Sequence, residues 1–130
     1  MSTPKGKLWA EACDVLRWHN KNADSCIQTL NRLWRKSPWV ADPGALPVLA
    51  ERQLQLTEER WSLERLEDLL HERQRTLNTP HSVTPPIIVV RWDGTDYLID
   101  GRTRINYWAR SETKGPHRTL VIERVQQDGA

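Results

Sequence analysis

The sequence has no Phe, one Met, two Tyr and two Cys among its 130 residues, but it has seven Trp. Trp is usually found in a core or at an interface, so these residues indicate where large apolar contacts form. No stretch approaches the roughly 20 consecutive apolar residues of a membrane-spanning helix. The first seven residues also lack the apolar core of a secretory signal. We therefore expect a cytoplasmic protein that does not cross a membrane.

The few cysteines and histidines argue against a metal centre. Cys13 and Cys26 lie in a region that we predict to be helical, their spacing matches no metal-ligand pattern, and no secretory context favours a disulfide. His19, His71 and His81 are too scattered to suggest a metal site. We predict reduced, structural thiols and no bound metal ion in the protein itself.

The first 44 residues show two helical patterns. Apolar residues recur at steps of three and four between Lys7 and His19, which places them on one helical face. A second helix fits Ala23–Lys36, with Asn22 or Asp24 as its N-cap. We predict a helical hairpin, followed at Trp39–Gly44 by a connector that is either a turn or a short edge strand.

Residues 45–79 carry leucines in strict heptad register, at Leu49, Leu56, Leu63, Leu70 and Leu77. In a segment rich in Glu, Arg and Gln, this spacing predicts a long helix or a broken helix pair. The second heptad position is poorly filled. We therefore favour a helix packed on its own domain, and keep a homodimer through this helix as the alternative.

Residues 80–125 change to strand-like patterns separated by turn residues. The predicted elements are a buried strand at Ile87–Val90, a turn at Asp93-Gly94, a returning strand at Tyr97–Ile99, a helix at Arg102–Arg110 and a last strand at Thr119–Glu123. Together they predict a small sheet-and-helix module, so the whole chain is of the α+β class. Residues 126–130 are expected to fray.

The junction of the second strand and the helix in this module is a candidate anion site. A chain that turns on Gly101 and enters a helix at Arg102 presents free backbone N–H groups at the positive end of the helix dipole. Arg102 and Arg104 add guanidinium groups, Thr103 adds a hydroxyl, and Gly101 permits close approach to the backbone. The alternative is that Asp100 is only an N-cap and Arg102 only a solvated charge.

The same residues resemble a known family. Residues 86–90, then Tyr97-Leu98-Ile99-Asp100-Gly101-Arg102-Thr103-Arg104, then Leu120-Val121-Ile122, are similar to the strand, strand, Asp-Gly-x-x-Arg helix start and strand of the ParB/sulfiredoxin superfamily. The resemblance covers Thr84–Glu123. It implies a ParB/sulfiredoxin-like fold for this module, in which Gly101 and Arg104 contact the phosphates of a nucleotide.

The branch of that superfamily bears on activity. Sulfiredoxins place their catalytic cysteine directly after this glycine, where this chain has Arg102, so sulfinate reduction is not expected. The Asp-Gly-x-Thr-Arg turn is most similar to that of the free-serine kinases. A kinase needs a carboxylate base and Mg²⁺ ligands. The candidates, which we interpret as a solvated charged face, are Glu64, Glu67, Asp68 and Glu72.

The favoured function is binding of a nucleotide, with Mg²⁺, or of another phosphate ligand. Weak hydrolysis or phosphotransfer is an open extension, so enzymatic activity is left undecided. The expected phosphate contacts are Gly101, Arg102, Thr103 and Arg104, and the candidate accessory residues are Asp100, His117 and Arg118.

Two other functions remain open. A non-enzymatic interaction or inhibitor protein would keep the fold without the chemistry, with Trp18 and Trp61, which lie off the main apolar stripes, as candidate exposed anchors for a partner. A DNA-associated accessory protein of a plasmid, phage or integrated element also fits the resemblance. The net charge of +2 is small for such a role.

Overall fold

The computed structural model describes residues 3–19, 24–35 and 47–125. The predictions for Trp39–Gly44 and for the tail 126–130 lie outside these ranges. The helices and strands are α1 (Thr3–Leu16), α2 (Cys26–Arg35), β1 (Leu54–Trp61), α3 (Leu63–Glu67), β2 (Ile87–Trp92), β3 (Thr95–Asp100), α4 (Arg102–Ser111) and β4 (His117–Arg124). The predicted α+β class is confirmed. Within the described ranges, no helix is long and apolar enough to span a bilayer.

The four strands form one mixed sheet in the order β1-β4-β2-β3. The central pair, β4 and β2, is parallel, and each edge strand pairs antiparallel with its neighbour. Val121 of β4 lies at the centre, paired with Thr57 on one side and Val89 on the other. The strands β2, β3 and β4 and the helix α4 lie where the sequence predicts them, with bounds that differ by a few residues.

Helices cover both faces of the sheet. Ile88 and Val90 pack with residues of α1 and α2 on one face. Ile87 and Val89 pack with residues of α3 and α4 on the other. Since successive side chains of a strand point to opposite faces, a strand covered on both sides must be apolar throughout. This explains the unbroken apolar run Ile87–Val90 within β2.

Trp supplies the large aromatic side chains of both cores. Trp34 is fully buried, donates its indole N–H to the Pro47 carbonyl and forms a T-shaped contact with Tyr97 at 4.9 Å between ring centroids. Trp108 is buried on the opposite face. The prediction that Trp61 is an exposed anchor is wrong, because it is 1% exposed and its ring lies under the guanidinium of Arg65.

The predicted long helix over residues 45–79 is wrong. The segment instead forms β1, the short helix α3 and two 3-10 turns. Leu54 and Leu56 alternate with exposed residues and are buried on the α1/α2 face, a period of two that the heptad spacing obscures. Pairing along the whole length of β4 outweighs the helical propensity of the Glu and Arg residues. The alternative of a homodimer required this long helix, and the described part of the segment does not form it.

The predicted N-terminal helices are present, but α2 begins later than expected. Ser25 is its capping residue: its hydroxyl accepts from the Gln28 N–H at 3.3 Å, and the Gln28 side chain accepts from the Ser25 N–H at 2.7 Å. Asp24 therefore does not cap the helix and forms an ion pair with Arg32. Asn22, the other predicted cap, lies outside the described residues.

A disulfide joins α1 to α2. Cys13 and Cys26 are bonded, with 5.4 Å between their Cα atoms. The prediction of reduced thiols is therefore wrong. Nothing in the sequence shows that these two helix positions face each other. The prediction of thiols rested on the lack of a secretory signal. The cytoplasmic location itself stays a prediction.

Replacing both cysteines in the variant Cys13→Ser/Cys26→Ser should lower the free energy of unfolding by about 2–3 kcal/mol, because the bond closes a short loop in the unfolded chain. Urea unfolding would measure the loss. Reductant should destabilise the wild type to a similar extent and leave the double variant unchanged. Free thiols in the unreduced, denatured wild type would contradict the bond.

An ion-pair cluster ties α1 to the sheet. Arg118 of β4 donates to both carboxylate oxygens of Glu11 at 2.7 Å and to Glu58 of β1 at 2.7 Å. Hydrogen bonds from Arg118 are the main cause of the lowered pKa values of both carboxyl groups, and the same bonds raise the pKa of Arg118. The charged form of each carboxyl is thus favoured by folding.

This cluster predicts a loss of stability in acid. The pKa values of Glu11 and Glu58 are below their ordinary value of 4.5 in the folded protein, so their contribution is present above that pH and is lost as the pH falls through the lower folded pKa values. Arg118→Met should cost about 1 kcal/mol at neutral pH and should flatten the acid limb. Unfolding curves from pH 7 to pH 3 would test this; equal slopes for both proteins would contradict it.

Candidate functional site

The predicted turn is formed between β3 and α4. β3 ends at Asp100, Gly101 has φ +126°, and α4 begins at Arg102. A Cβ on Gly101 would lie 2.4 Å from Cδ1 of Ile87, so glycine is required both by backbone conformation and by space. The Ile105 N–H donates to the Gly101 carbonyl at 2.9 Å. This is the first hydrogen bond of the helix, so the N–H groups of residues 102–104 have no carbonyl acceptor within α4. Gly101 has no side chain that could accept from them.

This turn opens into a cleft of about 830 Å³, within the ~300–1,000 Å³ typical of small-molecule sites. The cleft gathers residues from the end of α1, from α2, from the segment after α3 and from the turn itself. The described residues that line it are Val15, Trp18, His19, Leu33, Gln74, Asn78, Thr79, Pro80, His81, Ser82, Pro85, Leu98, Ile99, Asp100, Gly101, Arg102, Thr103 and Arg104. All four expected phosphate contacts therefore lie on one cleft.

Arg102 and Thr103 are the accessible polar side chains of the turn. Arg102 is exposed and Thr103 is half-buried, and both line the cleft. Within the described ranges, no ion pair and no hydrogen bond uses the Arg102 guanidinium. Arg102 is therefore a cation available to a ligand.

Arg104 is placed differently, because its side chain is only 7% exposed. It donates to the carbonyl oxygens of Pro85 at 2.5 Å and Pro86 at 3.0 Å, and to Oδ2 of Asp100 at 2.6 Å. Burial lowers the pKa of this guanidinium, and the Asp100 carboxylate acts in the opposite direction. Three of its N–H groups thus have partners within the chain, and contact with a phosphate stays a prediction for this residue.

Asp100 does not cap α4. One of its oxygens accepts from Arg104, and the other lies 2.6 Å from Nε2 of His19, which follows α1. The His19 carbonyl oxygen in turn accepts from Arg32 of α2. Sequence reasoning assigned His19 no role, because 81 positions separate it from Asp100 and no local pattern connects the two.

An aromatic pair forms another part of the cleft wall. The ring of Trp18 stacks on that of His81 with 6.0 Å between centroids and 12° between planes. Trp18 is 77% exposed, as expected for a residue off the main apolar stripe. The cleft therefore includes an accessible aromatic surface.

The wall after α3 is held in place from α4. The Asn106 amide donates to the Gln74 carbonyl at 3.0 Å, and Arg110 donates to the carbonyls of Thr76 at 2.9 Å and Asn78 at 3.1 Å. The segment from Gln74 to Asn78 is thus fixed along α4, the helix whose N-terminus lies at the cleft.

The other candidate residues are not brought to this cleft. His117 stacks on Trp108 with 3.7 Å between centroids, and Arg118 is bonded to Glu11 and Glu58. Trp61 is buried in the core. The carboxylates considered as kinase residues are also absent from the described lining of the cleft; they are Glu64, Glu67, Asp68 and Glu72.

No family model, no curated protein and no solved structure matches this chain. The likeness of Thr84–Glu123 to the ParB/sulfiredoxin superfamily therefore remains a prediction from the motif. The function of this chain is therefore inferred from the residues of the cleft.

Arg104→Ala is expected to lower the free energy of unfolding by about 3–5 kcal/mol, since it leaves a partly buried carboxylate and two carbonyl groups without their donor. Arg102→Ala, on the same turn but exposed, should change stability by no more than about 0.5 kcal/mol. Urea unfolding of both variants measures the difference. Equal effects would show that Arg104 is not a structural anchor.

Proposed function

We propose that this protein binds a small phosphate-bearing ligand in the cleft, with a nucleotide as the favoured class. The observation that carries the proposal is that three kinds of hydrogen-bond donor lie at the same cleft. These are the exposed guanidinium of Arg102, the hydroxyl of Thr103 and the free N–H groups at the start of α4.

The charge of the cleft supports an anion. Among the described residues that line it, Asp100 is the one carboxylate, and its oxygens are already bonded to Arg104 and His19. Arg102 therefore contributes positive charge that no described neighbour neutralises, at the positive end of the α4 dipole. Phosphate, with several acceptor oxygens, suits such a set of donors better than a carboxylate does.

The aromatic wall favours a ligand that also carries a base. Trp18 is the chain neighbour of His19, whose ring contacts Asp100 beside Gly101. The exposed indole is thus connected to the turn through its neighbour His19 and the hydrogen bond between His19 and Asp100. Stacking of a base on an aromatic ring contributes about 1–3 kcal/mol. A nucleotide would use both the turn and the aromatic pair.

Protein interaction is the second candidate. Trp18, at 77% exposed, is the type of residue that anchors a protein partner. DNA association is a weaker proposal, because it rests on the family resemblance against a net charge of +2.

Calorimetric titration with pyrophosphate, ATP, ADP, CTP and GTP, each with and without Mg²⁺, tests the proposal. Ligand at 100 times its dissociation constant should also stabilise the wild type by about 2.7 kcal/mol. Arg102→Ala should weaken binding of all phosphate ligands by about tenfold or more, because a charge-assisted hydrogen bond is lost.

Arg52→Ala is the matched control, since Arg52 is exposed and does not line the cleft. It should bind as the wild type does. No binding of any of these ligands would refute the proposal and leave the protein-interaction role of Trp18. Equal weakening by Arg52→Ala and Arg102→Ala would indicate nonspecific attraction instead of a site.

A further inference from the structure

Three side chains form a hydrogen-bonded row beside the cleft, and one of them, His19, is distant in the sequence from the other two. Arg104 donates to one oxygen of Asp100 at 2.6 Å, and the other oxygen of Asp100 lies 2.6 Å from Nε2 of His19. The Asp100 side chain is 18% exposed and the His19 side chain 36% exposed. The row therefore runs from the protein interior to the cleft surface.

The row selects one tautomer of the neutral imidazole. A carboxylate can only accept, so Nε2 of His19 carries the proton that it shares with Asp100. In the neutral ring, Nδ1 then has the lone pair. No hydrogen bond to Nδ1 exists within the described ranges, and His19 lines the cleft. A basic nitrogen is thus available to a bound molecule.

The geometry holds the imidazole firmly. Asp100 cannot rotate freely because Arg104 occupies its second oxygen, and Arg104 is itself fixed by two backbone carbonyls. At the other end, Arg32 donates to the backbone carbonyl of His19. A carboxylate that orients a histidine whose second nitrogen is free is the arrangement of a general base.

We propose that His19 is a catalytic general base and that Asp100 is its positioning residue, so that the cleft hydrolyses the phosphoanhydride of a bound nucleoside triphosphate. This inference rests on the proposed function. The turn at Gly101 and Arg102 holds the phosphates next to the imidazole.

The step is a displacement at the terminal phosphorus. Nδ1 of His19 accepts one proton from a water molecule, whose oxygen forms a bond to that phosphorus. The bond from phosphorus to the bridging oxygen breaks, and its electron pair leaves with the nucleoside diphosphate. His19 then releases the proton to solvent. The products are nucleoside diphosphate, inorganic phosphate and one proton, with no change in oxidation state.

Phosphate release from ATP, CTP and GTP, with and without Mg²⁺, tests the assignment. His19→Ala should lower kcat by about 100-fold or more while KM changes little, because His19 does not hold the phosphates. Added imidazole should restore part of the lost rate in His19→Ala. A residue that only tethers α1 to the turn would not be rescued in this way.

Arg52→Ala, outside the cleft, should retain the wild-type rate. A lower rate in His19→Ala purified in the same way would then show that the activity belongs to this protein. Asp100→Asn should also lower kcat, but it removes a partner of Arg104 and can impair folding. His19→Ala, checked for its unfolding midpoint, therefore decides the question.

Each other outcome overturns the inference in a distinct way. Binding of the triphosphates without phosphate release above the buffer rate would refute catalysis and leave the binding proposal intact. Release that His19→Ala does not reduce would show that His19 is only a tether. No binding at all would refute both proposals together.

Discussion

The buried guanidinium of Arg104 is the contact on which the site depends. A charge removed from water has to be paired and hydrogen-bonded, and Arg104 meets this requirement with carbonyl groups of Pro85 and Pro86 and with Asp100. These partners lie just before β2 and at the end of β3. One side chain of α4 therefore sets where the helix begins relative to the central strand β2 and the edge strand β3.

The same contact gives the two arginines of the motif different roles, although both were expected to contact phosphate. Of the two arginines in the turn, Arg104 faces inward and Arg102 outward. The resemblance assigns phosphate contact to Arg104, whereas the charge that no described residue neutralises belongs to Arg102. Loss of binding in an Arg104 variant would consequently be ambiguous, because the turn itself would be disturbed. Arg102 reports on the ligand without that complication.

The N-terminal helices contribute part of the wall of the cleft around the N-terminus of α4. The 3-10 turn that follows α1 brings Trp18 and His19 to the cleft. The disulfide holds α1 to α2, and the Arg32 contact holds this turn to α2. Without these residues the α4 N-terminus would be an open helix end. With them the cleft has an aromatic wall and an imidazole held by Asp100, the two features on which the proposed nucleotide binding and the proposed hydrolysis rest.

The sequence by itself determined the elements that depend on local patterns. The run Ile87–Val90, the Asp93-Gly94 turn and the Gly101 helix start predicted β2, β3 and α4, because apolar runs and turn residues act over a few positions. Only the tertiary structure decided that Leu54–Trp61 is a strand, since pairing with β4 outweighs local propensity. It alone also brought Cys13 to Cys26 and His19 to Asp100. Such contacts depend on how helices pack on the sheet, and no spacing along the chain encodes that packing.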